Sequence, residues 1–288
     1  MIVMNPFSGK GLSSRTIGTI ISQFCSCGYI ATTYFAGEHT PEEIAYEYAQ
    51  NHELAVCVGG DGTFSGFISG VLRSHTSVPV GYIPAGTAND IATTLKLSKD
   101  PAIAAKKIVN GNPQPYDIGE FSGRYFTYVA AFGAFTEVSY STSPSAKRAL
   151  GHFAYMLGGL ANVAAIKPRR TVIEYDGDRI EGDFIFGGVT NTTSIAGFVK
   201  LDPKLVDLAD GKFEILLVRK PVALSDFIGI LAGVARKTYN GDNVIVLHAS
   251  NIKFSFNEKV AWTVDGEDGG MHEEVEIKNF HEAISIVL

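Results

Sequence analysis

Cysteine is scarce in this 288-residue chain: Cys25, Cys27 and Cys57 form an odd set with no zinc-ligand spacing. Cys57 lies inside an apolar run and reads as a small core residue, and the usage fits a reducing cytoplasm. Positive charge is also in deficit, with 24 Lys and Arg against 30 Asp and Glu and a net charge of -6. Nucleic acid is therefore not expected as the main partner, because no basic excess exists to displace phosphate counterions. No uninterrupted apolar run approaches the ~20 residues that a membrane span requires. The chain opens directly on the strand-like Met1-Ile2-Val3-Met4, without a signal-peptide pattern. No G-x-x-x-x-G-K-[ST] occurs, which removes the P-loop. What is present is 45% hydrophobic and 19% charged, a well-cored composition long enough for one large domain or two ordinary ones.

The first part alternates strand and helix. Strand Ile2 to Asn5 leads into the loop Pro6-Phe7-Ser8-Gly9-Lys10-Gly11, and a helix follows with Ile17, Ile20, Ile21 and Phe24 on one face. After the strand-like Tyr29 to Tyr34, Thr40-Pro41-Glu42-Glu43 opens a second helix with a threonine cap, proline first and glutamate three beyond the cap. Strand Leu54 to Val58 runs into Gly59-Gly60-Asp61-Gly62-Thr63, and Phe64, Phe67, Ile68, Val71 and Leu72 then recur at helical spacing. Strand Val80 to Ile83 meets a further glycine turn, Pro84 to Asp90. This rhythm predicts an open, mostly parallel α/β sheet. Beyond Tyr116, short strand-like runs at 124–129, 171–175, 183–190, 213–218, 244–248, 252–256 and 260–264 predict a mainly antiparallel, sandwich-like second domain. Ser122-Gly123 and Asp176-Gly177-Asp178 are turn signals, and Ser145 to Ile166 and Ala223 to Tyr239 read as helices.

Three loops, Asn5 to Gly11, Gly59 to Ser65 and Pro84 to Asp90, fall at strand C-termini, the edge where open α/β sheets bind ligands. Missing side chains let phosphate reach backbone N–H groups, and the helix that follows adds its dipole. Asp61 becomes reasonable there if a divalent cation or water stands between it and phosphate. A dinucleotide fingerprint is not met, because Ser65 occupies the third small position and no ribose-binding acid ends the next strand. In the second half, Asp265-Gly266-Glu267 follows strand Val260 to Val264. Such an aspartate can take a hydroxyl proton during phosphoryl transfer, and Asp-Gly is equally a β-turn. Asp207-Leu208-Ala209-Asp210-Gly211-Lys212 suits oxygen ligation of Mg²⁺, or a solvated turn.

Taken together, Asn5-Pro6-x-Ser8-Gly9-Lys10, Gly59-Gly60-Asp61-Gly62-Thr63, Pro84-x-Gly86-Thr87-x-Asn89-Asp90, Asp210-Gly211 and Asp265-Gly266-Glu267 resemble the diacylglycerol kinase catalytic family, in the family's order over nearly the whole chain. G-G-D-G-T is also similar to NAD kinases; the first and third loops point to the lipid kinases. The resemblance implies an ATP-binding α/β domain at 1–116 with a returning strand at 281–288, and a β-rich lipid-substrate domain at 117–280. It implies ATP contacts from Asn5, Pro6, Phe7, Ser8, Gly9, Thr33, Gly59, Gly60, Asp61, Gly62, Thr63, Phe64, Ser65, Thr87 and Glu267. Asp265 would be the general base, and Asp207, Asp210 and the Lys212 carbonyl would hold a structural Mg²⁺. Two departures stand out: Ser65 where relatives commonly carry asparagine, and Ala209 where they commonly carry an acid.

The expected activity is transfer of the ATP γ-phosphate to diacylglycerol or a similar long-chain alcohol, giving phosphatidic acid or an analogue. The alternatives are NAD kinase-like phosphorylation of a soluble dinucleotide and a non-catalytic nucleotide- or lipid-binding regulator. A cytoplasmic enzyme with a lipid substrate must touch the membrane peripherally. The apolar segment Ala149 to Ile166, flanked by Lys147, Arg148, Lys167, Arg169 and Arg170, suits an anionic surface or a packing helix. A homodimer stays open.

Overall fold

β1 (Ile2–Met4), β2 (Thr33–Phe35), β3 (Ala55–Gly59) and β4 (Val80–Pro84) pair in parallel in the order β2-β1-β3-β4. β1, β3 and β4 are buried throughout, as expected of parallel strands covered on both faces. The computed structural model describes residues 1–133, 167–195, 199–223, 225–226, 229–230, 233, 239, 241 and 243–288. Five α-helices accompany these strands: α1 (Ser14–Ser26), α2 (Pro41–Tyr48), α3 (Asp61–Arg73), α4 (Asp90–Thr94) and α5 (Pro101–Asn110). The expected capping box of α2 forms, with Thr40 Oγ1 accepting from Glu43 N–H and Glu43 Oε2 accepting from Thr40 N–H. β2 is shorter than the run Tyr29 to Tyr34 predicts, because only Thr33 to Phe35 find partners on β1.

The later strands are β5 (Pro113–Phe121), β6 (Arg124–Phe126), β7 (Val129–Gly133), β8 (Arg169–Tyr175), β9 (Asp178–Thr190), β10 (Ser194–Ile195), β11 (Val199–Lys200), β12 (Phe213–Arg219), β13 (Val244–Ala249), β14 (Asn251–Val264) and β15 (Glu267–Val287). The main ladder runs β13-β12-β9-β7-β14-β15 and is antiparallel at every step. β8 and β7 lie end to end between the long strands β9 and β14, each pairing with both. Ser122-Gly123, Asp176-Gly177 and Asp265-Gly266 all carry positive φ at both residues, the requirement of two-residue hairpin loops that match the strand twist. The core of this part gathers around Trp262, with Phe121, Phe132 and Phe254 rings at 5.1, 5.0 and 5.2 Å.

Three strand expectations are corrected. The runs 252–256 and 260–264 are one strand, β14, and the polar Asn257-Glu258-Lys259 between them is absorbed by a register shift. The run 124–129 is two strands, β6 and β7. Most of β15 was not expected, because only Val275 and Ile277 among Glu273 to Lys278 point inward and the alternating acids mask them.

The chain divides into two compact units, residues 1–118 with 280–288, and residues 119–279. β15 contributes to both, and its end enters the parallel sheet beside β4 through Ile286 opposite Val80. The expected helix Ser145 to Ile166 lies outside the described residues, as does most of Ala223 to Tyr239.

Candidate active site

The three glycine-containing loops of the first unit are joined at the C-terminal ends of β1, β3 and β4. Asn5 Nδ2 donates to Thr63 Oγ1 at 3.0 Å, and Ser8 Oγ lies 3.5 Å from the same oxygen. Ala85 N–H donates to Gly59 O at 2.7 Å. Backbone meets backbone where the turns touch: a Cβ at Gly9 would stand 2.4 Å from Ala85 O, and one at Gly86 would stand 2.6 Å from Gly60 Cα. Gly9 also needs φ +60, a conformation that glycine adopts without a Cβ penalty. Gly60 is the N-cap of α3 and offers no side-chain cap, and the N-terminus of that 13-residue helix carries the positive end of its dipole, which favours an anion.

Asp61 has a definite task here. Its two carboxylate oxygens accept from Asp90 N–H at 3.1 Å and Ile91 N–H at 3.3 Å, binding the second turn to the third. Asn89, in the left-handed region at φ +55, closes the third turn by bonding Gly86 through both ends of its side-chain amide. Phe7 and Thr87 are exposed at the loop tips, whereas Phe64 and Ser65 turn inward and Phe64 stacks on Tyr82 at 4.3 Å. Thr33 is not brought to this cluster: it pairs with Ile2 at the other end of β1. Burial of Tyr82 pushes its phenol well above the ordinary range, so it stays neutral and donates to Gly59 O.

In the second unit, Asp265 occupies the first position of the loop joining β14 to β15, at φ +50 and 4% exposed. The β-turn reading and the buried carboxylate are therefore both realised. Oδ2 accepts from Thr127 N–H at 2.7 Å and Thr127 Oγ1 at 2.9 Å, and Oδ1 accepts from Tyr128 N–H at 3.0 Å and Val129 N–H at 3.1 Å. Glu267, two residues on, is exposed and takes a 2.8 Å hydrogen bond from Arg124 Nη2. Thr127 and Arg124 have no signal in the sequence that ties them to a turn more than a hundred residues away.

Asp207 and Asp210 are exposed, and each has one oxygen in a local turn, accepting from Ala209 N–H and Lys212 N–H. Among the described residues no group of three His, Cys, Asp or Glu is placed to hold a metal. Two carboxylates with a backbone carbonyl still suit Mg²⁺, which keeps several waters. Nearby Glu214 is fully buried on β12, with neither carboxylate oxygen hydrogen-bonded. Burial pushes its acid up to about 9, with Asp210 and Asp207 adding to the rise. The folded state thus keeps a proton that the unfolded chain releases near 4.5, so this contribution to stability is complete below that pH and is lost as pH rises toward about 9. Glu214→Gln is expected to flatten the loss, gaining on the parent between pH 5 and pH 8 in thermal melts. An unchanged difference between the two proteins across that range would disprove it.

Of the basic residues expected at a lipid surface, Lys167 and Arg169 contact Glu258, and Arg170 contacts Glu181. Lys147, Arg148 and Ala149 to Ile166 lie outside the described residues. No helix among the described residues is long and apolar enough to cross a membrane.

Residues 1–121 match the diacylglycerol kinase catalytic domain family, and residues 127–286 match the YegS C-terminal NAD kinase beta sandwich-like domain. A diacylglycerol kinase of Bacillus subtilis is 32% identical over 277 residues, covering 94% of this chain and 90% of the relative. A diacylglycerol kinase of Staphylococcus carnosus is 33% identical over 273 residues, covering 93% of this chain and 88% of the relative. The fold is similar to the crystal structure of a diacylglycerol kinase from Bacillus anthracis, with a TM-score of 0.76 at 18% identity over 99% of this chain and 95% of that one.

Proposed function

Since the chain belongs to the diacylglycerol kinase catalytic family and is a kinase, we propose that it transfers the γ-phosphate of ATP to the hydroxyl of diacylglycerol or a similar long-chain alcohol, giving phosphatidic acid or its analogue. The observation that carries this reading is the joined cluster of three loops. Gly9, Gly60 and Gly86 let the three turns pack backbone against backbone beside the N-terminus of α3, whose dipole favours a triphosphate. Asn5 to Gly9, Gly59 to Ser65 and Thr87 hold the nucleotide, with Phe64 and Ser65 contributing backbone only. Thr33 is the outlying member of that set. Glu267 contacts the nucleotide from its turn, and Asp265 takes the proton of the attacking hydroxyl.

A carboxylate has about four lone-pair sites, and the Asp265 carboxylate already accepts four hydrogen bonds. Proton uptake therefore requires one donor to move aside. Three of the four are backbone N–H groups; the Thr127 hydroxyl is the one that can rotate. Divalent metal, when bound with ATP, neutralises charge on the phosphates. Asp207, Asp210 and the Lys212 carbonyl are the residues that would hold a structural Mg²⁺. Adding Mg²⁺ to nucleotide-free protein is expected to raise the melting temperature, and Asp210→Ala to abolish the rise. A parent protein indifferent to Mg²⁺ would remove this site. Contact with an anionic lipid surface is part of the proposal, weakened at Lys167, Arg169 and Arg170 by their acidic neighbours.

The NAD kinase-like description of the second domain family favours one further reading, in which a dinucleotide is the acceptor. Labelled ATP supplied with diacylglycerol in mixed micelles, and separately with NAD, separates them. Labelled phosphatidic acid is expected. Label in the dinucleotide alone would replace the lipid reading, and label in neither would leave a regulator that binds without turnover.

A further inference from the structure

The Asp265-Gly266-Glu267 turn is bonded repeatedly by one short stretch of chain, residues 124–129. Thr127 supplies two donors to the Asp265 carboxylate, and Tyr128 and Val129 supply one each. Asp265 N–H returns a bond to Val129 O at 2.8 Å. At the start of the same stretch, Arg124 Nη2 donates to Glu267 Oε2 at 2.8 Å and Nη1 donates to Asp268 O at 3.0 Å. The stretch is itself braced from β9, where Thr190 Oγ1 and Asn191 N–H both donate to Tyr128 O. A side chain on Gly266 would meet the Tyr128 hydroxyl at 3.3 Å.

Backbone donors on an Asp-Gly turn are shared with another hairpin of this protein; side-chain donors on two successive acids are not. The Asp176-Gly177 hairpin is tied to one neighbouring segment by Ser250 and Asn251 N–H on its carboxylate and by Asp176 N–H on Asn251 O. The Asp265 turn adds a side-chain hydroxyl on the carboxylate and a guanidinium on a second acid two residues on. Fixing two carboxylates two residues apart, by separate donors from one segment, is what preorganised chemistry requires.

We propose that residues 124–129 are a clasp that positions the two carboxylates of the turn independently: Thr127 sets Asp265 and Arg124 sets Glu267. Both are positioning residues, acting through the turn. The inference rests on the roles proposed above for Asp265 and Glu267, and it divides them between two separate supports. Thr127 acts on the chemical step, because its hydroxyl is the one side-chain donor among the four that orient the Asp265 carboxylate. Arg124 acts on nucleotide affinity, because its planar fork holds the Glu267 carboxylate and the Asp268 carbonyl at once, a task a lysine ammonium cannot perform in the same geometry.

The test uses steady-state kinetics of the full chain on ATP and diacylglycerol, well below each variant's melting temperature. Thr127→Val removes the hydroxyl at constant volume. With that donor gone from the Asp265 carboxylate, kcat falls about threefold to tenfold with KM for ATP within about twofold of the parent; Thr127→Ser restores the parental kcat. Arg124→Ala raises KM for ATP about threefold to tenfold with kcat near parental, and Arg124→Lys does not restore it. If both variants melt lower but leave kcat and KM for ATP unchanged, the clasp is merely structural and the proposal is overturned. If Asp265→Asn keeps near-parental turnover as well, it is the reading of the turn as the reactive site that has failed, and the clasp falls with it. Loss of activity in Asp265→Asn with no kinetic response in Thr127→Val or Arg124→Ala would reject the clasp alone.

Discussion

Asp265→Asn is expected to lower turnover by about 10²–10⁴-fold, the usual share of a general base. Its surroundings add a second effect that shape alone would not suggest. An amide in place of the carboxylate turns an NH₂ group toward at least one backbone N–H whichever way it is flipped. At one position it faces Tyr128 and Val129 N–H; at the other it faces Thr127 N–H, where the Thr127 hydroxyl can rotate to accept. At 4% exposure no water relieves that clash. A loss of stability of about 1–3 kcal/mol follows, the ordinary cost of an unsatisfied buried donor. Thermal melts and single-turnover phosphate transfer, run on the same preparation, separate the two losses. Fully folded Asp265→Asn protein that transfers phosphate at a near-parental rate would refute the base assignment, and a variant with a parental melting temperature would refute the four-donor cradle.

Gly86→Ala is expected to weaken ATP binding at least about tenfold, more than Gly60→Ala does, by forcing the phosphate loops apart. The two glycines face each other, yet their space is not symmetric. A methyl on Gly60 would lie 3.2 Å from Gly86 Cα, a contact relieved by a shift of a few tenths of an ångström. A methyl on Gly86 would lie 2.6 Å from Gly60 Cα and 2.8 Å from Asn89 Oδ1. Relief there must break the Gly86–Asn89 bonds that close the third turn. Isothermal titration with ATP checks the order. Equal affinities for parent and Gly86→Ala would show that the approach of these two turns is not where phosphate is held.

The α/β rhythm of the first unit was legible because its signals are local. Periodicity marks α3, the capping box marks α2, and glycine turns fall where parallel strands end. The hairpin loops were legible for the same reason, since Asp-Gly and Ser-Gly carry their positive φ with them. β15 was not: its inward positions are too few among acids to stand out, and only pairing with β14 and β4 makes it a strand. The loops that gather a phosphate can be read from glycine and asparagine spacing, but the work of Asp61 cannot. Its carboxylate bridges to Asp90 and Ile91, 29 and 30 residues later, and no local pattern encodes that. Asp265 divides the same way. Sequence alone determined that an aspartate stands on a tight turn at a strand end. Tertiary structure alone decided that this carboxylate is buried under four donors from Thr127, Tyr128 and Val129, because hydrogen-bond partners 136 to 138 residues apart are set by the antiparallel pairing of β7 with β14.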